Sequence, residues 1–159
     1  MSEKPVIVVL TQAALPLAQS LAGFLQAEIH GAAARLQGAD DIAVLFEDAL
    51  PHIGGLFKSG RPIIGVCASG ILIRAVAPYL ADKHQEPPLL AVSDDGQSIV
   101  PLLGGHHGGN ALARKIATYL SGHAAITTAG DVQYGVALDE PPKGWTLANR
   151  DDAKPFMAA

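Results

Sequence analysis

Short unbroken apolar runs alternate along this chain with longer stretches in which apolar residues recur every three or four positions. Pro5 to Leu10 and Pro62 to Cys67 are runs of the first kind. A β-branched run bounded by turn formers is the pattern of a strand covered on both faces, as in a parallel sheet. Ala13 to Ile29 is of the second kind, with Leu17, Leu21, Phe24, Leu25 and Ile29 on one helical stripe and Gly31 just past its end. A weaker strand is expected over Ala33 to Leu36. A second helix is expected over Asp48 to Lys58, with Pro51 near its start and Gly60 closing it. Ser69-Gly70 opens a third helix that runs to about Ala81 and bends at Pro78, with Ser69 as its N-cap. Leu89 to Ser93 and Ser98 to Leu103 read as strands joined by a hairpin-like turn at Asp94-Asp95-Gly96. Asn110 to Leu120 reads as a helix and Ala124 to Thr128 as a strand. This alternation predicts an α/β fold: a mostly parallel sheet with right-handed crossovers and helices on both faces.

After Asp131 the pattern changes. Pro141, Pro142 and Gly144 interrupt it before Trp145, and Asp151 to Met157 looks like a helix start. The expected division is therefore a first domain over 1–131 and the beginning of a second region over 132–159, belonging to a longer protein.

Composition narrows the partners. With 11 basic and 15 acidic side chains the formal charge is −4, which gives no global attraction for nucleic acid or an anionic membrane. An anionic ligand must be held locally. The single cysteine, Cys67, leaves no internal disulfide framework and fits a reducing cytoplasm. The apolar run from Val6 to Leu10 is far below membrane-spanning length, so neither a signal peptide nor a transmembrane helix is expected.

The chemistry gathers in one stretch. Gly104-Gly105-His106-His107-Gly108-Gly109-Asn110 lies between an expected strand and an expected helix. Glycines let a backbone come close to a ligand, a helix start directs unpaired N–H groups at an anion, and imidazoles add a proton donor or acceptor near neutral pH. Two further loops follow strands: Ala68 to Gly70, with Arg74 one turn into the helix as a carboxylate clamp, and Thr128 to Asp131. Where their strands are neighbours, all three loops share one edge of the sheet, because α/β sheets bind ligands at the carboxyl ends of strands. Asp131 either orients a histidine or ends its strand. No metal site is expected, since neither paired cysteines nor a His-Glu-X-X-His helix is present. Cys67 reads more readily as a buried strand-end thiol than as a nucleophile. His30, His52, His84 and His123 read as surface groups near element ends.

Taken in order, these segments resemble the amino-terminal part of the cobalamin biosynthesis protein G family, the cobalt-precorrin-5A hydrolases. The resemblance rests on Cys67-Ala68-Ser69-Gly70-Ile71 followed by Arg74 and Ala77-Pro78, on Asp82-Lys83, Pro87-Pro88 and Asp94-Asp95-Gly96, on Leu102-Leu103-Gly104-Gly105-His106 with Gly108-Gly109, and on Ile126-Thr127-Thr128-Ala129 with Asp131. It spans Phe46 to Asp131. Gly104 stands where the family has serine, and Asn110 comes one residue early. That variant, with Gly135-Val136-Ala137-Leu138-Asp139 and Ala153-Lys154-Pro155-Phe156, is similar to versions of the domain fused to precorrin-3B C17-methyltransferase.

The resemblance implies a precorrin or cobalt-precorrin substrate, a macrocycle carrying many carboxylates. It also implies opening of a δ-lactone with release of acetaldehyde. His106 is then the candidate catalytic base. Ser69, Gly70, Arg74, Gly104, Gly105, His107, Gly108, Gly109, Asn110, Thr128 and Asp131 are the candidate substrate contacts. No cofactor is expected in these residues; S-adenosylmethionine would enter only with a methyltransferase domain, fused or associated. The alternative is a non-catalytic corrinoid-binding module serving such a methyltransferase.

Overall fold

The computed structural model describes residues 4–128, 144–146, 148, 149, 152 and 155. Its contacts divide the chain into a first unit, Met1–Ala125, and a second, Ile126–Ala159. Seven strands build the first unit: β1 (Val6–Val9), β2 (Glu28–Ala32), β3 (Val44–Phe46), β4 (Ile63–Val66), β5 (Leu89–Val92), β6 (Ser98–Leu103) and β7 (His123–Ala124). They form one sheet in the order β3-β2-β1-β4-β5-β6-β7. The first five are parallel, β6 is antiparallel to β5, and β7 is parallel to β6. The sheet is therefore mostly parallel, as the alternation of runs predicts.

All side chains of β1, β4 and β5 are buried, which is why these strands read as continuous apolar runs rather than alternating ones. Period-two geometry sends successive residues to opposite faces. Ile7, Val9, Ile64, Val66, Leu90 and Val92 pack beneath α1 (Leu15–Leu25) and α5 (Gly109–Leu120). Val6, Val8, Ile63, Leu89 and Ala91 pack beneath α3 (Ala49–Lys58) and α4 (Ser69–Val76).

Four expected elements differ in the structure. The helix expected over Ala13 to Ile29 stops at Leu25, where Gln26 takes a left-handed conformation as C-cap, and Glu28–Ala32 becomes β2. The apolar residue Ile29 fits either periodicity, so spacing alone does not separate a helix end from a following strand. Ala33–Leu36, expected as a strand, forms the short helix α2, and β3 is a strand beyond those expected, lying in the apolar run Ile42-Ala43-Val44-Leu45-Phe46. The third helix ends at Val76, and Ala77-Pro78-Tyr79 continues as a 3-10 turn rather than a bent helix. The last strand is confined to His123–Ala124.

Helix α4 lies close over β4. A Cβ on Gly65 would stand 2.7 Å from a Leu72 methyl, so the absence of a side chain on the strand sets the depth at which the helix rests. Leu72 is fully buried in that contact. Leu72→Ala is expected to cost about 2–5 kcal/mol, seen as a lower midpoint and an unchanged slope in urea unfolding followed by circular dichroism.

Candidate functional site

Strand β6 leads directly into the glycine-histidine turn. Gly104 has φ 65° and Gly105–His107 make one 3-10 turn, after which Gly108 caps α5. The Gly104 carbonyl accepts hydrogen bonds from the N–H groups of both His107 and Gly109, each at 2.9 Å. The turn therefore closes on its own first residue. Glycine is required at Gly104 twice over: its φ is left-handed, and a Cβ would lie 2.6 Å from the Pro87 carbonyl and the Pro88 nitrogen. At Gly109 a Cβ would lie 2.7 Å from the Gly104 oxygen. Asn110, only 5% exposed, sits beneath the turn with its amide against Gly105. His106 occupies the middle of the 3-10 turn, and His107 is exposed.

At the other end of the sheet, β4 runs into α4 through Cys67 and Ala68. Ser69 is not the N-cap that the sequence suggests. Ala68 takes that position in extended conformation, no side chain caps the helix, and Ser69 is its exposed first residue. The Arg74 guanidinium folds back one turn and donates from Nη1 to the Gly70 carbonyl at 3.0 Å. Burial, and secondarily the Asp94 charge, push the Cys67 thiol up to about 11. A thiol in that state is protonated near neutrality and is no nucleophile.

The strand register places these two loops apart. Leu103, at the end of β6, faces Leu89 at the start of β5, whereas Val66, at the end of β4, faces Val92 at the end of β5. The Gly104 turn thus lies where the parallel strands begin, and Ser69, Gly70 and Arg74 lie where they end. About 10 Å of strand separates the two edges. The expectation that the loops share one edge is corrected for this pair, because the turn at Asp94-Asp95-Gly96 reverses β6. Thr128 is half-buried and belongs to the second unit, while Asp131 lies outside the described residues.

Alongside the Gly104 turn, Phe57, Lys58, Tyr79, Asp82, Glu86 and Pro87 border a cleft of about 250 Å³. The Lys58 ammonium stands 5.4 Å from the centre of the Tyr79 ring. Two carboxylates against one ammonium make this cleft a poor receptor for an anion.

Two histidines read as surface groups prove otherwise. His30, in β2, is 3% exposed, and its Nδ1 lies 2.9 Å from Nε2 of His52 on α3. The His52 ring stacks on Phe46 with centroids 4.5 Å apart. Burial holds His30 below the usual histidine range, with the His52 charge adding to it, and burial does the same to His52. Arg61 pairs with Glu28 at 2.8 Å and holds its carboxyl below the usual carboxylate range. The two histidines are distant in sequence and no local spacing links them. His84 and His123 are exposed, as expected. Among the described residues no cluster of three or more His, Cys, Asp or Glu is arranged to hold a metal ion.

The chain is thus a mostly parallel α/β domain that presents a glycine-histidine turn where its parallel strands begin. The model of the cobalamin synthesis G N-terminal family fits residues 51–131, about half of the chain, and the chain belongs to that family. It is 36% identical over 107 residues to a cobalt-precorrin-5A hydrolase from Priestia megaterium, which covers 65% of this chain and 29% of that protein. It is 38% identical over 101 residues to a cobalt-precorrin-5A hydrolase from Salmonella typhimurium, covering 58% and 29%. The crystal structure of a cobalamin biosynthesis protein G homolog from Sulfolobus solfataricus shares the fold, with TM-score 0.56 and 22% identity over 78% of this chain and 37% of that one. The chain spans under a third of the length of these curated relatives.

Gly104→Ala is expected to destabilise the first unit by more than the roughly 1–2 kcal/mol of a left-handed alanine alone, because the methyl also meets Pro87; thermal unfolding beside wild type measures this. Iodoacetamide at pH 7.5 is expected to alkylate Cys67 at least about a hundredfold more slowly than free cysteine. The rate should climb as pH is raised toward 11, and mass spectrometry follows it.

Proposed function

We propose that this chain is the amino-terminal part of a cobalt-precorrin-5A hydrolase of corrin-ring biosynthesis, and that the Gly104–Asn110 turn receives the reacting part of a precorrin or cobalt-precorrin. The observation that carries this reading is the turn itself. It lies inside the matched family segment, and close backbone contacts build it around glycines, an economical way to bring a backbone against a ligand. The hydrolase names of the relatives supply the reaction.

Opening a δ-lactone requires a water to lose a proton as it attacks the carbonyl carbon, and requires donors for the oxyanion that forms. In this reading His106 takes the proton. The N–H groups of His107 and Gly109 are committed to the Gly104 carbonyl, so the oxyanion falls to other N–H groups of the turn. Asn110 is buried beneath the turn and His107 is exposed beside it. Their expected roles divide accordingly: His107 touches substrate directly, and Asn110 acts through the shape of the loop. Ser69, Gly70 and Arg74 stand at the opposite edge and would bind a peripheral carboxylate, remote from the group that reacts. Thr128 and Asp131 stay candidate substrate contacts.

A precorrin-3B C17-methyltransferase, fused or associated, is the partner this reading admits, and S-adenosylmethionine would belong to that partner. No helix among the described residues is long and apolar enough to cross a membrane. With its lone Cys67, the chain is placed by this reading in the cytoplasm.

Incubation of the purified chain with cobalt-precorrin-5A tests the reading, with binding measured by calorimetry and acetaldehyde release by a coupled assay. The expected result is binding and turnover, with turnover reduced on the order of 10²–10⁴-fold in His106→Ala. Undiminished release by His106→Ala would remove His106 as the base, and binding without release would restrict the chain to a binding role.

A further inference from the structure

The His30–His52 pair plays no part in the proposed reaction, yet it places a buried polar side chain inside the sheet. His30 Nδ1 and His52 Nε2 face each other at 2.9 Å. On the far side, His30 Nε2 lies 3.5 Å from the Glu28 carboxylate, an electrostatic contact that falls short of hydrogen-bond geometry. Arg61 occupies the same carboxylate at 2.8 Å and is anchored by donation to the Lys4 carbonyl. Elsewhere the surroundings are apolar. Phe46 stacks on His52, and Val8 of β1 and Ile53 of α3 are buried in the same core.

Two facing imidazole nitrogens at that distance can hold one proton between them. In the neutral pair, His52 Nε2–H donates to His30 Nδ1, and the His30 Nε2–H is directed at Glu28. One added proton is tolerated: on the bare His52 Nδ1 it leaves the Nε2–H donating to His30 Nδ1. A second proton puts two N–H groups face to face in a buried site already next to Arg61. The pair must then part, and the two partners are not equal. His30 is fixed in β2 and 3% exposed, whereas His52 is half-buried in the first turns of α3, a short way from its Asp48 N-cap.

We propose that His30 and His52 form an acid-opened clasp between β2 and the start of α3: loss of their shared hydrogen bond releases His52 to solvent and loosens the first turn of the helix. The buried side chains of Ile53 and Phe57 keep the rest of α3 on the sheet, while the Ile53 amide, whose i−4 partner is the Ala49 carbonyl of the first turn, reports the loosening. The sign follows from linkage. Both histidines sit below their ordinary value in the fold, so the unfolded or opened form binds protons first as pH falls through about 6.5. The closed form is therefore lost progressively below that pH. Glu28 is also lowered, by Arg61, and acts only at still lower pH.

Amide hydrogen exchange at pH 7.5 and 5.0, corrected for intrinsic rates, tests the clasp together with ¹⁵N spectra of the histidine rings. The expected result is at least about a fivefold fall in protection at Ile53, no change at Ile116 in α5, and ring signals of His30 and His52 that titrate together below pH 6.5. His52→Gln keeps an N–H donor for His30 but cannot take up a proton, and it should abolish the fall at Ile53. Constant protection at Ile53, an equal fall at Ile116, or an undiminished fall in His52→Gln would overturn the proposal. Should that variant not fold, the wild-type ring titration decides alone: independent midpoints at or above 6.5 reject the clasp. None of these readings depends on hydrolase activity, so failure here and failure of the proposed function are separable.

Discussion

Complete burial of the three central strands is the constraint from which the rest of the first unit follows. Every side chain of β1, β4 and β5 is removed from water, and strands of that kind are stable only when both faces of the sheet are covered. Helices α1 and α5 supply one cover and α3 and α4 the other. Each crossover helix must then start at one edge of the sheet and return to the other, so the loops that can carry function are divided between two edges. The depth of packing is set locally by small residues, as at Gly65 beneath Leu72.

The hairpin between β5 and β6 breaks this regularity and decides where the turn of family residues lies. By reversing β6, the turn at Asp94-Asp95-Gly96 carries Gly104 to the edge where the parallel strands begin, against Pro87 and Pro88. The general tendency of α/β sheets to gather ligands at the carboxyl ends of strands therefore favours Ser69, Gly70 and Arg74. The matched family segment contains both sets, and the proposed chemistry at His106 favours the opposite edge. A polycarboxylate macrocycle is large and has groups for more than one site, so the two sets need not compete. Only one of them can serve the reacting bond.

The histidines show a different limit of reading a chain residue by residue. His106 and His107 stand out because glycines flank them in sequence, and that signal is local. His30 and His52 lack any such signal: one falls in a segment whose spacing suits a helix end and the other in an ordinary amphipathic helix. Their meeting depends on β2 pairing beside β1 and α3 crossing over both. The same dependence explains Cys67, whose strand-end position is plain in the sequence but whose raised pKa needs the burial and the neighbouring Asp94 that folding provides.

By itself the sequence determined the fold class, the strong strands, the hairpin turn, the glycine-histidine loop and the family, because each rests on local periodicity, turn chemistry or ordered motifs. It misplaced the end of the first helix and the Ser69 cap, since Ile29 fits two periodicities and capping depends on the backbone angles of one residue. Tertiary structure alone decided which loops share an edge and which histidines touch. Those outcomes depend on strand order, strand direction and burial, which are properties of pairings between distant segments.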